Sequence, residues 1–329
     1  MTLSIRRLIH DSTEKVLGEK RIEREEALRL ATLSHTDLVD LFAAANRVRD
    51  HYRGTDIDLC SIMNARSGAC SEDCRFCAQS SHYHTDAPIY DLVDTARIEE
   101  AAKTARENGA RRFCIVTSGK GIDSNDELHA IGRGLELVRS LGLKPCATLG
   151  TLSKLQLRYL KDAGLNRYHH NIETSREFFP EICSTHTFDE RVELLGHARE
   201  LGLSLCSGGI LGMGETMQDR VSMAFTLRDL DVDSVPLNFL MPIAGTPLGD
   251  IRPIKPLEAL HSISLFRMIL PDKEIRICGG RGSSLGSLHP MIFQAGADGF
   301  MIGNYLTRTG LDPKDDLTML HDLGLTIKE

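Results

Sequence analysis

Tryptophan is absent from this 329-residue chain, and aromatic residues make up only 5% of it. So few rings leave no material for the base-stacking platforms on which single-stranded nucleic acids lie. Excess positive charge is missing too: the net charge is −7, with acidic and basic residues interleaved. Nothing forms the basic stripe of a nucleic-acid-binding surface. No apolar run approaches the roughly 18 residues a membrane span needs. The first 20 residues, MTLSIRRLIHDSTEKVLGEK, carry charges inside their one apolar stretch. They lack the form of a secretion signal, so a cytoplasmic location is expected. Apolar residues at 41% and charged residues at 26% suit a globular protein.

Cysteine, by contrast, is plentiful, with nine residues. An odd number in a chain expected to meet a reducing compartment points to metal binding or catalysis rather than to a disulfide framework.

Residues 1–52 read as a helical extension: segment 24–49 spaces its apolar residues helically, with Ser34 and Asp37 at a break. From about residue 56 short β-rich runs alternate with amphipathic segments. Strands are predicted at 57–63, 112–117, 143–149, 166–173, 203–210, 234–241, 274–279 and 298–302. Helices are predicted at 95–108, 125–140, 153–163, 187–201, 216–230, 257–270 and 287–295, and a loop and final helix follow residue 311. Repeated β–α units imply parallel strands with crossover helices. Eight of them predict an α/β fold, a (β/α)8 TIM-type barrel spanning 53–329 with its C-terminal tail, an open doubly wound sheet being the alternative.

Residues 70–77 read CSEDCRFC, placing Cys70, Cys74 and Cys77 in C-x3-C-x2-C spacing just after the first predicted strand. That loop belongs to the C-terminal mouth of a barrel, where such folds carry their chemistry. Thiolates are the usual ligands of iron–sulfur clusters. Three of them hold three irons of a cube and leave the fourth open to a substrate. The alternative is a structural zinc completed by His82 or His84, although such sites usually pair their ligands differently.

The motif, with Phe76 before its last cysteine, resembles the signature of the radical S-adenosylmethionine superfamily. Gly208 to Glu215, GGILGMGE, is similar to that superfamily's G-x-I-x-G-x-x-E loop beside the adenine. Alone, such a stretch is more often a tight strand-to-helix turn. The resemblance implies reductive cleavage of S-adenosylmethionine at a [4Fe-4S] cluster, giving a 5′-deoxyadenosyl radical. Phe76, Gly209 and Ile210 would then lie near the adenosyl group.

Three further thiols sit mid-strand. In RFCIVT, Cys114 faces away from Phe113 and Ile115; in LKPCATL, Cys146 shares its face with Thr148; in LSLCSGGI, Cys206 lies opposite Leu203 and Leu205. Apolar residues should face the surrounding helices, so these thiols should point inward. Arg276 in EIRICG should do the same. Buried structural cysteines are the alternative, since a free thiol behaves as a small hydrophobe.

The strings GACSEDCRFCAQSS, CATLGTLS, HHNIETS, SVPLNFL, GTPL and IRICGGR occur in an order that resembles the biotin synthase family. The resemblance covers about residues 50 to 310. It implies a sulfurtransferase that inserts sulfur into dethiobiotin in the last step of biotin formation. No side chain would act as acid, base or nucleophile, because the cofactors carry the chemistry. Cys70, Cys74 and Cys77 would hold the [4Fe-4S] cluster. Cys114, Cys146, Cys206 and Arg276 would hold an auxiliary [2Fe-2S] cluster that donates the sulfur. Asn171 would contact dethiobiotin or S-adenosylmethionine, Glu173 the ribose and Asn238 the substrate. A flavodoxin- or ferredoxin-type electron donor and a homodimer are implied in the same way.

Three positions depart from the family pattern: Glu173 where Asp is common, His169 where Asn is common, and Cys278 where Ser is expected. Cys278 shares a strand face with Arg276, so a fourth inward thiol bears on the auxiliary cluster. Cys60 and Cys183 match no motif and read as structural. Rival readings are another radical enzyme on the same barrel, such as a hydrogenase-maturation or methylornithine-type enzyme, and a non-catalytic iron–sulfur electron carrier.

Overall fold

A computed structural model describes residues 2–328. Three helices come first: α1 (Thr2–Leu17), α2 (Arg24–Leu30) and α3 (His35–Arg53). The barrel strands are β1 (Asp56–Arg66), β2 (Arg112–Thr117), β3 (Lys144–Thr148), β4 (Arg167–His169), β5 (Ser204–Cys206), β6 (Gly209–Leu211), β7 (Ser234–Phe239), β8 (Glu274–Ile277) and β9 (Gly299–Met301). Every pairing among them is parallel, and β9 closes onto β1 through Asp58, Leu59 and Cys60. β5 and β6 are two halves of the fifth barrel strand, and both pair with β7. The barrel therefore closes with eight strands, as the repeated β–α units predict.

Helices α4 (Thr95–Glu107), α5 (Asn125–Ser140), α6 (Lys154–Asp162), α7 (Phe188–Glu200), α8 (Met217–Asp229) and α9 (Pro256–Ile269) fall where the apolar periodicity places them. α6, α7 and α8 open with reciprocal capping boxes from Ser153, Thr187 and Thr216, which satisfy backbone donors at each helix start. The predicted helix 287–295 is a correction. The chain instead forms a short α10 (Arg281–Leu285) and then a 3-10 turn over Gly286–Ile292. Gly286 turns to a positive φ of 52°, and Pro290 lacks the N–H that an α-helix would need there. After α11 (Pro313–Asp322), β10 (Thr326–Ile327) pairs with the start of β1. A two-residue strand carries no periodicity that a sequence could reveal.

The N-terminal helices pack onto α8 and α9, and α9 is buried almost all round as a result. Arg53, at the end of α3, reaches Asp298 at 2.7 Å and Glu274 at 3.7 Å, below the first turns of β9 and β8. Arg267 binds the same Asp298 at 2.5 Å. Further in, Arg167 meets Glu274 at 2.6 Å and Arg276 meets Asp58 at 2.6 Å. These ion pairs fill the floor of the barrel and leave its mouth open. No helix among the described residues is long and apolar enough to cross a membrane.

Candidate active site

Alternation along β1, β2, β3, β5 and β8 turns every second side chain into the barrel. The interior is a cavity of about 330 Å³ running from the mouth down to the ionic floor. Cys114, Cys146 and Cys206 line it, with Arg276 and Cys278, so the inward face inferred for them is the observed one. β2 and β3 stand in register at Cys114 and Cys146, and the Cys114 sulfur lies 3.4 Å from Thr148 Oγ1. Burial pushes the Cys114 thiol up, while its neighbour Cys146 is lowered by the adjacent Cys114 thiol and by the charge of Arg112. Burial likewise pushes Cys206 up to about 12, and its sulfur lies 3.2 Å from His169 Nδ1. Thiols that burial holds neutral become ligands when a cation replaces the proton.

The C-x3-C-x2-C loop follows β1 directly, at the mouth. Phe76 and Cys77 border the cavity; Cys70 and Cys74 are buried behind it. The Cys74 thiol donates to Cys183 Sγ at 3.8 Å, and Cys183 lies 3.3 Å from His186 Nδ1. His186 in turn meets Glu72 at 2.5 Å and Arg191 at 2.7 Å. Cys183 is therefore part of a polar network beneath the cysteine loop, not an isolated core residue.

The donor set of the triad, three cysteines on one loop at the mouth, suits an iron–sulfur cluster. Four ligands around one zinc stand about 3.8 Å apart, given Zn–S bonds of about 2.3 Å. The ligating atoms of Cys74, Cys183 and His186 all lie within 4.8 Å of one another, but the triad thiols do not. The interior set Cys114, Cys146 and Cys206 is also spread beyond that limit. His82, the suggested zinc ligand, is exposed and faces the Ser71 carbonyl at 3.0 Å.

Glu173 closes the fourth strand at a positive φ of 68°, a strained setting for a non-glycine residue. Its backbone pairs with Gly209 of β6. A Cβ on Gly209 would stand 2.1 Å from Glu173 O, and one on Gly208 would stand 2.0 Å from Pro236 O. Only glycine permits this approach. Glu215 then pins the loop: its carboxylate accepts from Gly212 N at 2.8 Å and Met213 N at 2.7 Å and pairs with Arg220 at 2.8 Å. The G-x-I-x-G-x-x-E string is thus a folded unit in which the glutamate serves the turn.

Ile210, Asn171, Glu173 and Asn238 all face the cavity, whereas Gly209 lies behind it. Asn171 donates to Glu173 Oε2 at 3.3 Å and accepts from Gly208 N at 3.1 Å. Asn238 donates to Gly209 O at 3.2 Å and accepts from Gly279 N at 2.9 Å. Burial pushes the Glu173 carboxyl up, opposed by Arg191 at 3.6 Å. The outcome is a fixed polar rim around an apolar hollow, the usual form of a small-molecule site.

Cys60 is the interior residue that sequence reasoning set aside. It faces inward from β1 and borders the cavity beside Cys278. Its signal was available: Asp58, Cys60 and Ile62 alternate with the apolar Ile57 and Leu59, as the other inward residues do on their strands.

Residues 65–227 match the radical SAM superfamily, and residues 236–326 match the biotin and thiamin synthesis associated domain. The chain is 49% identical over 316 residues to a biotin synthase of Geobacter sulfurreducens, covering 96% of each. It is 50% identical over 313 residues to one of Trichlorobacter lovleyi, covering 95% of this chain and 94% of that one. A biotin synthase of Pelotomaculum thermopropionicum is 47% identical and covered in full. Among solved structures, a methylornithine synthase superposes with a TM-score of 0.84 at 22% identity, covering 97% of each chain. A maturase of the [FeFe]-hydrogenase superposes at 0.83 with 15% identity, over 97% of this chain and 75% of that one. At those identities the likeness concerns the barrel alone.

Proposed function

The chain belongs to the biotin synthase family of the radical SAM superfamily, and on that premise we propose how its residues divide the work of inserting sulfur into dethiobiotin. The observation that carries the assignment is the single cavity with two sulfur-bearing ends: Cys77 at its mouth, and Cys114, Cys146 and Cys206 on its inner wall. When bound, the [4Fe-4S] cluster with S-adenosylmethionine supplies the radical, and the auxiliary [2Fe-2S] cluster supplies the sulfur.

Cys70, Cys74 and Cys77 hold the first cluster and leave one iron for S-adenosylmethionine. Phe76 and Ile210 frame the adenosyl group, Gly209 shapes the loop behind Ile210, and Glu173 receives the ribose hydroxyls. Asn171 and Asn238 orient dethiobiotin, their amides locked by the backbone bonds described above. Cys114, Cys146, Cys206 and Arg276, which line the inner wall together, would hold the auxiliary cluster. The buried, mostly apolar wall keeps water and stray hydrogen donors from a primary alkyl radical. Fixed placement matters because C–H abstraction needs the reacting atoms about 3–3.5 Å apart.

The chain divides into a helical extension, 1–52, that covers the barrel on its floor side, and the barrel with its tail, 53–329. A flavodoxin- or ferredoxin-type protein supplies the electrons, the chain pairs as a homodimer, and it works in the cytoplasm. These three statements follow from the family resemblance, and light scattering and reduction with each donor test the first two. Anaerobic incubation with S-adenosylmethionine, a reductant and dethiobiotin tests the reaction. Biotin and 5′-deoxyadenosine should appear together; 5′-deoxyadenosine alone would contradict the assignment of substrate.

A further inference from the structure

Cys183 matches no motif, yet it is buried beside Cys74. The segment that carries it, 182–186, precedes α7 and is fastened to the cysteine loop at several points. Arg75 N donates to Ile182 O at 2.9 Å, and Ser184 N donates to Asp73 Oδ1 at 2.9 Å. Thr185 Oγ1 donates to Glu72 Oε2 at 2.9 Å, and His186 Nδ1 meets the same oxygen at 2.5 Å. Glu72, Asp73 and Arg75 flank Cys74, so these bonds fix where its sulfur stands. That sulfur lies 3.8 Å from Cys183 Sγ.

A single metal ion held by Cys74, Cys183 and His186 is one reading of this group, whose ligating atoms lie within 4.8 Å of one another. The histidine argues against it. Arg191 Nε lies 3.0 Å and Nη2 2.7 Å from His186 Nε2. A guanidinium only donates, so Nε2 accepts and Nδ1 carries the ring proton, which goes to Glu72. Neither ring nitrogen keeps a lone pair for a metal. Cys183 is placed differently. Its thiol donates to Asp73 Oδ1 at 3.2 Å. That oxygen already accepts from Ser184 N at 2.9 Å and Thr185 N at 3.2 Å, which occupy its two lone pairs. The Cys183 proton is thus a surplus donor, free to turn about the Cβ–Sγ bond.

We propose that Cys183 is a positioning residue for the [4Fe-4S] cluster, its S–H donating a hydrogen bond to the Cys74 sulfur once that sulfur binds iron. The proposal rests on the reading that Cys70, Cys74 and Cys77 hold the cluster. While Cys74 is protonated the bond runs the other way, from its thiol to Cys183. Iron replaces the Cys74 proton, which leaves to solvent, and the sulfur becomes an acceptor only. The Cys183 proton then faces a thiolate. Reduction brings one electron from the reductant onto the cluster and its thiolates. A donor on a ligand sulfur offsets part of the added charge and favours the reduced state, hydrogen bonds to sulfur being one of the levers on such potentials. Both sulfurs are buried, so water competes little and a weak S–H donor counts.

The test uses the full chain, reconstituted anaerobically with iron and sulfide. It reads the midpoint potential of the [4Fe-4S] cluster by EPR-monitored titration without S-adenosylmethionine. Cys183→Ala and Cys183→Val should keep the iron and sulfide of that cluster, and both should shift its potential down. Cys183→Ser, which keeps a donor, should return the potential to the unmutated value or above it. The two apolar variants separate the hydrogen bond from packing, since alanine leaves a void that valine fills, and whichever of them folds decides. An unshifted potential in either apolar variant, or a Cys183→Ser potential as low as theirs, would overturn the proposal. Cys74→Ala tests the underlying reading by itself: if it keeps the whole four-iron cluster, the placement of that cluster fails, whatever Cys183 does.

Discussion

At the scale of single residues, the proposed function separates radical generation from sulfur delivery by depth in one barrel. Cys74→Ala should abolish both the four-iron absorbance and the cleavage of S-adenosylmethionine. Cys146→Ala should leave 5′-deoxyadenosine formation in place and stop biotin formation, which product analysis by liquid chromatography checks. The opening triad was legible because three cysteines in eight residues have few other uses. The interior thiols were legible because strand alternation sets polar residues apart from Phe113, Ile115, Leu203 and Leu205. Cys60 escaped because no motif includes it, although it borders the cavity. The Cys183–His186 network escaped for the same reason, being a contact between distant loops.

At the scale of elements, two glycines should behave oppositely. Gly196 lies inside α7 with nothing within 4 Å of the Cβ it lacks, so Gly196→Ala should stabilise the protein by about 0.5–1 kcal/mol through helix propensity. Gly209→Ala would drive a methyl into Glu173 O, displacing the loop, lowering the denaturation midpoint and weakening S-adenosylmethionine binding. Calorimetry reads both. The start of α8 carries a pH signature. Burial pushes Asp219 up, but hydrogen bonds from Thr216 and Ser175 and the Arg220 charge outweigh it and hold the carboxyl below its ordinary value. Its contribution is therefore complete above about pH 4, the unfolded value, and fades as pH falls through the lower folded value. The stability difference between the unmutated protein and Asp219→Asn should be about 0.3–1 kcal/mol near neutrality and should shrink below about pH 4 in urea titrations. Element positions were largely readable, since each strand-and-helix unit switches its apolar period from two to nearly four. The break of the fifth strand into β5 and β6 was not, because it depends on how closely Gly208 and Gly209 approach Pro236 and Glu173.

At the scale of the whole molecule, helices α1 to α3 and the ion pairs of Arg53, Arg167, Arg267 and Arg276 close one end of the barrel and direct all access to the other. That closure could not be read from sequence, where only Arg276 reads as inward-facing and Arg53, Arg167 and Arg267 look like ordinary surface charges scattered over more than 200 residues. It gives the central claim its sharpest form: sulfur reaches the substrate from inside the barrel, not from solvent. The most direct test loads the auxiliary cluster with ³⁴S-sulfide, removes unbound sulfide, and runs a single turnover with S-adenosylmethionine, reductant and dethiobiotin in unlabelled sulfide. Mass spectrometry should find the ³⁴S in the biotin formed. Biotin carrying only unlabelled sulfur would contradict the account.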